Sequence, residues 1–257
     1  MSKTLAMTGG ATGIGAAIKQ QLRNLGHTVI VVDIKDADIV ADLSTEQGCV
    51  EAVAAIEKMA PDGLDGFIPC AGLGPAARPP SLIGDVNFFA AKLTTIGLRP
   101  LLEMKKGAVV IISSNSAPMA IHDTELVEAF AADDRAKAAE LVNSRPSGAH
   151  DAYTASKLAL TRWMRANTPE YARLGIRLNA IAPGITTTPL TDAAKQDENV
   201  AQAMADFAAA VPSGREAVPD EIANGVLFLL SEQASFCYGC VFFVDGGSDA
   251  MLRPNDF

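Results

Sequence analysis

The chain has 257 residues, 49% of them hydrophobic and 20% charged, with a net charge of −9 and a pI near 4.8. This is a soluble globular composition, long enough to bury a large core, and its acidic balance argues against nucleic acid or an anionic membrane as a partner. With no apolar signal segment at the start and no run near the ~18 residues of a membrane span, a cytoplasmic protein is expected.

Apolar, β-rich stretches alternate with amphipathic ones. The first strand is expected over 3–8, "KTLAMT". A helix follows over about 13–25, where Ile14, Ile18 and Leu22 share a face at i, i+4, i+8 and Gly26 provides the stop. "TVIVVD" at 28–33 is a continuous buried strand. Then come a helix at 46–59, a strand at 66–72, a helix near 85–104, a strand at 108–114, a helix over about 151–174, a strand at 176–182, a helix at 219–230 and a last strand in "CVFFVDGG". Uninterrupted apolar strands are buried on both faces, and their alternation with helices implies right-handed βαβ units. The expected fold is α/β: a single doubly wound Rossmann-type domain over 1–257, with a seven-stranded parallel sheet and helices on both faces. Six of the strands are the stretches named above.

Two segments break the rhythm, and long connections are usually functional or carry structure of their own. Residues 117–150 read as a helical insertion: Asp123 is an N-cap candidate, Leu126 and Phe130 share a face, and Asp133 is placed to pair with Lys137. Residues 185–218 read as a substrate loop. Of the four cysteines, only Cys237 and Cys240 are close in sequence. Without a second C-x-x-C or a nearby histidine they read as packing thiols, and no metal is expected.

"MTGGATGIG" at 7–15 lies between the first strand and the first helix, where helix N-terminal amides form an anion site and glycines admit a pyrophosphate to the backbone. Gly9 permits the turn, Gly13 the close approach and Gly15 the helix packing, while Thr8 reads as a strut. Asp33 ends the second strand, 18 residues after Gly15, where a carboxylate binds a ribose 2′-OH and repels a 2′-phosphate. Thr12 and Ile34 stand where a basic side chain would receive that phosphate, so NAD(H) is the expected cofactor.

The spacing T-G-x-x-x-G-x-G from Thr8 to Gly15, together with "YTASK" at 153–157, resembles the short-chain dehydrogenase/reductase family, and the resemblance spans nearly the whole chain. It implies a phosphate loop of Gly9, Ala11, Thr12, Gly13, Ile14 and Gly15. Asp33 and Ile34 would meet the adenosine ribose, and Asp42 and Leu43, in "VADL", the adenine. "CAG", Cys70, Ala71 and Gly72, is similar to the family's N-N-A-G segment, with Pro69 and Cys70 in place of the two asparagines. Pro183, Gly184, Thr186 and Thr188, in "APGITTTPL", would lie by the nicotinamide and phosphates. Asn87, Ser114, Tyr153 and Lys157 resemble the catalytic tetrad, with Asn87 holding a water beside Lys157 and Lys157 also binding the nicotinamide ribose.

Within the family, "DIVADLST", "CAGLGP", "APGITTTPL" and the tail "MLRPNDF" resemble bacterial 3α-hydroxysteroid dehydrogenases/carbonyl reductases. The 39-residue gap from Ser114 to Tyr153, several times the family's usual spacing, is shared too. That likeness implies a homo-oligomer, with a dimer favoured over a tetramer.

Tyr153 and Lys157 are one helical turn apart on one face. Hydride exchange at an alcohol carbon needs a group that moves one proton, and a phenol brought toward working pH by a neighbouring ammonium can do so. Ser114, at the carboxyl edge of the sheet, would hold the substrate oxygen. The expected pocket lies between 73–82, 185–218 and the residues after Ser114. Leu73, Pro75, Ser116, Met119, Thr187, Leu190, Met204 and Phe207 are its candidates, beside Ser114 and Tyr153. Being mostly apolar, they suit a bulky neutral ketone or secondary alcohol such as a steroid. The alternatives are a non-steroid alcohol of similar bulk and, more remotely, a non-catalytic dinucleotide sensor.

Overall fold

Successive residues of the apolar runs point to opposite faces of one sheet. The computed structural model describes residues 2–119, 123–196 and 201–256. Its strands are β1 (Thr4–Thr8), β2 (Thr28–Asp33), β3 (Ile39–Val40), β4 (Gly66–Pro69), β5 (Ala108–Ile112), β6 (Arg177–Pro183) and β7 (Val241–Val244). They form a seven-stranded sheet in the order β3-β2-β1-β4-β5-β6-β7, with every pairing parallel. The strand beyond the six placed from sequence is β3, a two-residue strand that ends at Val40, the first residue of the segment read as the adenine-contacting turn. The order reverses between β1 and β4, and in such sheets ligands bind at that crevice, beyond the carboxyl ends of the strands.

The helices are α1 (Gly13–Asn24), α2 (Glu46–Met59), α3 (Ser81–Gly84), α4 (Ala91–Gly97), α5 (Arg99–Lys105), α6 (Thr124–Ala131), α7 (Arg135–Asn143), α8 (Gly148–Arg173), α9 (Pro189–Gln196), α10 (Ala201–Ala209), α11 (Pro219–Leu230) and α12 (Ser248–Leu252). On one face, Leu5, Met7, Val29, Val31 and Ile181 pack with Ile18 and Leu22 of α1 and Ile222 and Val226 of α11. On the other, Ala6, Ile30, Val32, Phe67 and Val109 pack with α2, α4, α8 and the insertion. That alternation along each strand is the period-2 pattern of a sheet covered on both sides.

Three sequence readings need correction. The helix expected over 85–104 is broken: a π-helical turn, Asp85–Ala90, sits between α3 and α4, and α5 follows separately. Asp133 does not pair with Lys137. It holds Lys92 of α4 at 2.5 Å, while Lys137 faces Glu125, so the charge serves to dock the insertion rather than to brace its own helix. The strands read as 66–72 and 108–114 end at Pro69 and Ile112, which frees the following residues to line the crevice.

The insertion is helical, as expected. Asp123 accepts from the Leu126 amide at 3.1 Å as N-cap of α6, and Leu126 and Phe130 are buried. Residues 120–122 of the insertion and 197–200 of the substrate loop lie outside the described residues. The insertion meets α8 tightly: a Cβ on Gly148 would stand 1.9 Å from the Val142 carbonyl oxygen. The four cysteines are free thiols, and no described helix is long and apolar enough to cross a membrane.

Candidate active site

The glycine loop runs from the end of β1 into α1, directly over the β1/β4 crevice. Gly9 has φ +74°, and a Cβ there would lie 2.5 Å from the Ala71 backbone. A Cβ on Gly15 would lie 1.7 Å from the Gly9 carbonyl oxygen, so these two positions accept no side chain. Thr8 is the expected strut: its hydroxyl accepts from the Ala71 amide at 3.1 Å, tying the loop to Cys70–Gly72. Thr12 is the N-cap residue of α1 with no side-chain cap, which leaves the first-turn amides open to an anion.

Asp33 sits at the end of β2. Its carboxylate accepts from the Ala11 amide at 2.9 Å and from the Ile34 amide at 2.7 Å. Ile34 is 68% exposed beside it. Asp42 accepts from the Ser44 amide and hydroxyl, which hold its carboxyl below the usual range, and Leu43 is buried, so only its backbone is available to a ligand. The structure therefore carries a backbone cradle closed to side chains, open helix amides and a carboxylate at the sugar position, features that fit a dinucleotide.

At the other end, Ser114, Tyr153, Lys157 and Asn87 come together. The Ser114 hydroxyl accepts from the Ser116 amide at 3.2 Å and the Ser116 hydroxyl at 3.0 Å, and it faces the Tyr153 phenol. Burial raises the Tyr153 phenol above its ordinary value, and the Ser114 hydroxyl offsets part of that. The Lys157 ammonium is 6.0 Å from the Tyr153 ring centre and donates to the Ile112 carbonyl at 2.8 Å. Burial pushes Lys157 down to about 8. Burial thus disfavours the charged form of each group, the opposite direction from the tyrosinate-stabilising balance expected from spacing alone. Desolvation dominates because each lacks a charged partner.

Asn87 lies in the π-helical turn and clasps the Leu73 backbone, accepting from its amide at 2.7 Å and donating to its carbonyl at 2.9 Å. A Cβ on Gly72 would come 3.4 Å from the Asn87 side-chain oxygen and 3.9 Å from Lys157 Nζ, ordinary contacts that place Gly72 between the two groups. Burial pushes the Cys70 thiol up to about 12, leaving it neutral beside Lys157.

Pro183 ends β6, and Gly184 packs against Asp245 so closely that a Cβ would stand 2.7 Å from its Cα. Thr186 and Thr188 are buried and tied to Thr191, whose hydroxyl donates to the Thr186 carbonyl at 2.6 Å. Thr188 lies against Gly13, which joins this segment to the phosphate loop. Among the pocket candidates, Ser116 is on Ser114, Leu190 packs on Gly74 next to Leu73 and Pro75, and Met119 follows the Ser116 turn. Thr187 faces outward, donating to Glu216 at 3.1 Å. Met204 and Phe207 lie on α10, which packs on α9 and buries none of its side chains. A cavity of about 200 Å³ opens elsewhere, at the amino ends of the strands, between Lys3, Lys106, Arg177 and Tyr238.

Sequence reasoning missed several participants. The Ile112 carbonyl and Leu73 backbone carry no side-chain signal at all. Thr191 was legible as one more threonine of "TTTPLT" but not as the residue that fastens Thr186 and Thr188. Asn115, beside Ser114, buries a side-chain amide with no hydrogen-bond partner among the described residues.

Comparison with known proteins agrees with this geometry. Residues 136–249 match the family model described as Enoyl-(Acyl carrier protein) reductase. The 3-alpha-hydroxysteroid dehydrogenase/carbonyl reductase of Comamonas testosteroni is 40% identical, with 98% of this chain and 99% of that protein covered. The crystal structure of the 3-alpha-hydroxysteroid dehydrogenase from Pseudomonas sp. B-0831 complexed with NADH superposes with a TM-score of 0.95 at 42% identity, over 99% of this chain and 100% of that one. Levodione reductase superposes with a TM-score of 0.75 at 26% identity, over 96% of this chain and 98% of that one.

Proposed function

The chain belongs to the short-chain dehydrogenase/reductase family and is an oxidoreductase, and we propose that it interconverts a 3α-hydroxysteroid, or a neutral alcohol of similar bulk, with the corresponding ketone, using NAD(H). The observation that carries this reading is the convergence of Ser114, Tyr153 and Lys157 at the carboxyl end of β5, facing the glycine loop and Asp33. All 257 residues serve as one catalytic domain.

The dinucleotide, when bound, supplies or accepts the hydride. Gly9, Ala11, Thr12, Gly13, Ile14 and Gly15 would seat its pyrophosphate. Asp33 and Ile34 would meet the adenosine ribose, and Asp42 and Leu43 the adenine. Cys70, Ala71, Gly72, Pro183, Gly184, Thr186 and Thr188 would flank the remainder. Ser114 holds the substrate oxygen. Tyr153 gives its phenolic proton to a ketone oxygen or takes one from an alcohol. Lys157 would bind the nicotinamide ribose, and its charge there would draw the Tyr153 pKa downward. Asn87 keeps Leu73 and the adjoining Gly72 in place beside Lys157.

One exposed apolar face supports self-association, and we assign a homodimer. Phe228 of α11 and Phe242 of the edge strand β7 stack at 6.1 Å on an exposed face, and large apolar exposures of this kind mark interfaces. Four free thiols suit a reducing compartment, the cytoplasm.

The test is turnover of a panel of 3-ketosteroids, 3α- and 3β-hydroxysteroids, bulky non-steroid ketones and sugars, each with NADH or NADPH, or the oxidised forms, as the direction requires. Turnover of 3-ketosteroids with NADH is expected. Turnover confined to non-steroid ketones selects the second reading, and binding of NADH without any turnover overturns the catalytic one.

A further inference from the structure

Arg135, the first residue of α7, belongs to the insertion, yet it reaches out of it in two directions. Its guanidinium donates to the Ser44 carbonyl at 3.1 Å, at the end of the Asp42–Ser44 turn. The same group pairs with Asp85 at 3.0 Å and lies 4.6 Å from the centre of the Phe89 ring, both in the π-helical turn that carries Asn87. Asp85 is mostly shielded, so burial pushes its carboxyl upward and the guanidinium pulls it back. Arginine suits this place because one planar fork can serve a carbonyl and a carboxylate while stacking on an aromatic face.

Leu43 anchors the Asp42–Ser44 turn in the core, and the turn's other hydrogen bonds are local. Asp42 is satisfied by Ser44 within the turn, the Asp42 carbonyl accepts from the Thr45 hydroxyl at 3.1 Å, and the Cys49 thiol donates to the Leu43 carbonyl at 3.4 Å. Among these hydrogen bonds, that of Arg135 alone comes from outside the segment 42–49. The insertion itself is anchored independently: Phe130 packs on Phe88 and Phe89, and Asp133 pairs with Lys92.

We infer that Arg135 is a positioning residue for the adenine end of the cofactor site and that it couples the Asp42–Ser44 turn to the π-helical turn of Asn87. The inference rests on the cofactor reading given above. It assigns the insertion a part in nucleotide affinity.

The experiment measures binding of NADH, AMP and nicotinamide mononucleotide by calorimetry, with KM for NADH and for the ketone, in wild type, Arg135→Met, Asp85→Asn and Lys92→Met. Loss of one charged hydrogen bond predicts about a tenfold loss of AMP and NADH affinity in Arg135→Met, with nicotinamide mononucleotide and the ketone KM unchanged. Asp85→Asn should weaken AMP in the same direction, although Asp85 sits on the π-helical turn. Lys92→Met loosens the insertion without touching Arg135 and should leave AMP affinity at the wild-type level. Equal losses in Arg135→Met and Lys92→Met reduce Arg135 to a general docking contact and overturn the inference, as does unchanged AMP affinity in Arg135→Met. Unchanged AMP affinity in Asp85→Asn overturns the coupling. A wild-type chain that binds neither NADH nor AMP overturns the cofactor reading itself, and this inference with it.

Discussion

The Asp33 carboxylate accepts a hydrogen bond from the Ala11 amide at 2.9 Å, so the residue assigned to the cofactor ribose also fastens the glycine loop to the end of β2. Asp33→Ala should therefore do two things at once. It should lower the preference for NADH over NADPH by roughly 10- to 100-fold, the worth of one charged hydrogen bond. It should also weaken both cofactors by loosening the loop. Steady-state KM values for the two cofactors check this, and a wild type that already prefers NADPH contradicts the assignment.

Tyr153→Phe removes the phenolic oxygen and leaves the ring packing of α8 intact. Turnover should fall by ~10²- to 10⁴-fold, the usual contribution of a positioned proton donor. NADH affinity should stay near that of wild type, because the glycine loop and Asp33 are untouched. Fluorescence titration and turnover measured on the same preparation separate the two effects. Retained activity would falsify the role given to the phenol.

The protonation states predict opposite pH limbs for the two directions. Burial raises Tyr153 above its ordinary value of 10.0, so the phenol is protonated at neutral pH. Ketone reduction consumes that proton and should be fastest at neutral or lower pH. Alcohol oxidation needs the deprotonated form and should climb on the alkaline side. Superimposable pH profiles in both directions would sink this account.

Lys157 sits at about 8 in the folded chain, below its ordinary value of 10.5. Between those values the unfolded chain binds more protons, so stability rises with pH across that window. Below it the buried ammonium costs up to about 3 kcal/mol. Lys157→Met removes that cost and also the bond to Ile112, which returns about 1 kcal/mol of the gain. The variant should be inactive yet more stable than wild type at neutral pH, with the gap closing as pH approaches 10. Urea midpoints at the two pH values decide it, and a variant less stable at neutral pH overturns the argument.

The parallel sheet was legible because its strands are buried on both faces and read as unbroken apolar runs. The glycine loop was legible because close backbone approach leaves only glycine at Gly9 and Gly15, and Asp33 because a carboxylate ends the second strand 18 residues after Gly15. The π-helical turn was not: "DVNFFAAKL" has ordinary helical periodicity, and the bulge reflects Asn87 reaching for the Leu73 backbone. The Asp133–Lys137 pairing failed for a related reason, since local spacing says nothing of Lys92, 41 residues away. The grouping of Ser114, Tyr153 and Lys157 was readable from motif positions, but the shifts of Tyr153 and Lys157 away from their charged forms depend on how much water the finished fold excludes. Arg135 carried no signal, because its partners, a carbonyl, a carboxylate and an aromatic ring, lie on distant segments.

The 38 residues between Ser114 and Tyr153 bear on how this chain reaches its native state. Two groups that must meet are separated by a long excursion, but loop entropy grows only logarithmically, about 0.6 kcal/mol for each doubling of the path. The excursion is further shortened once α6 and α7 form, since each replaces flexible chain with a rigid rod whose ends are fixed. The joint at Val142 and Gly148 is then where assembly is least forgiving. A substitution there would spare every group that touches substrate and still delay the encounter of serine and tyrosine.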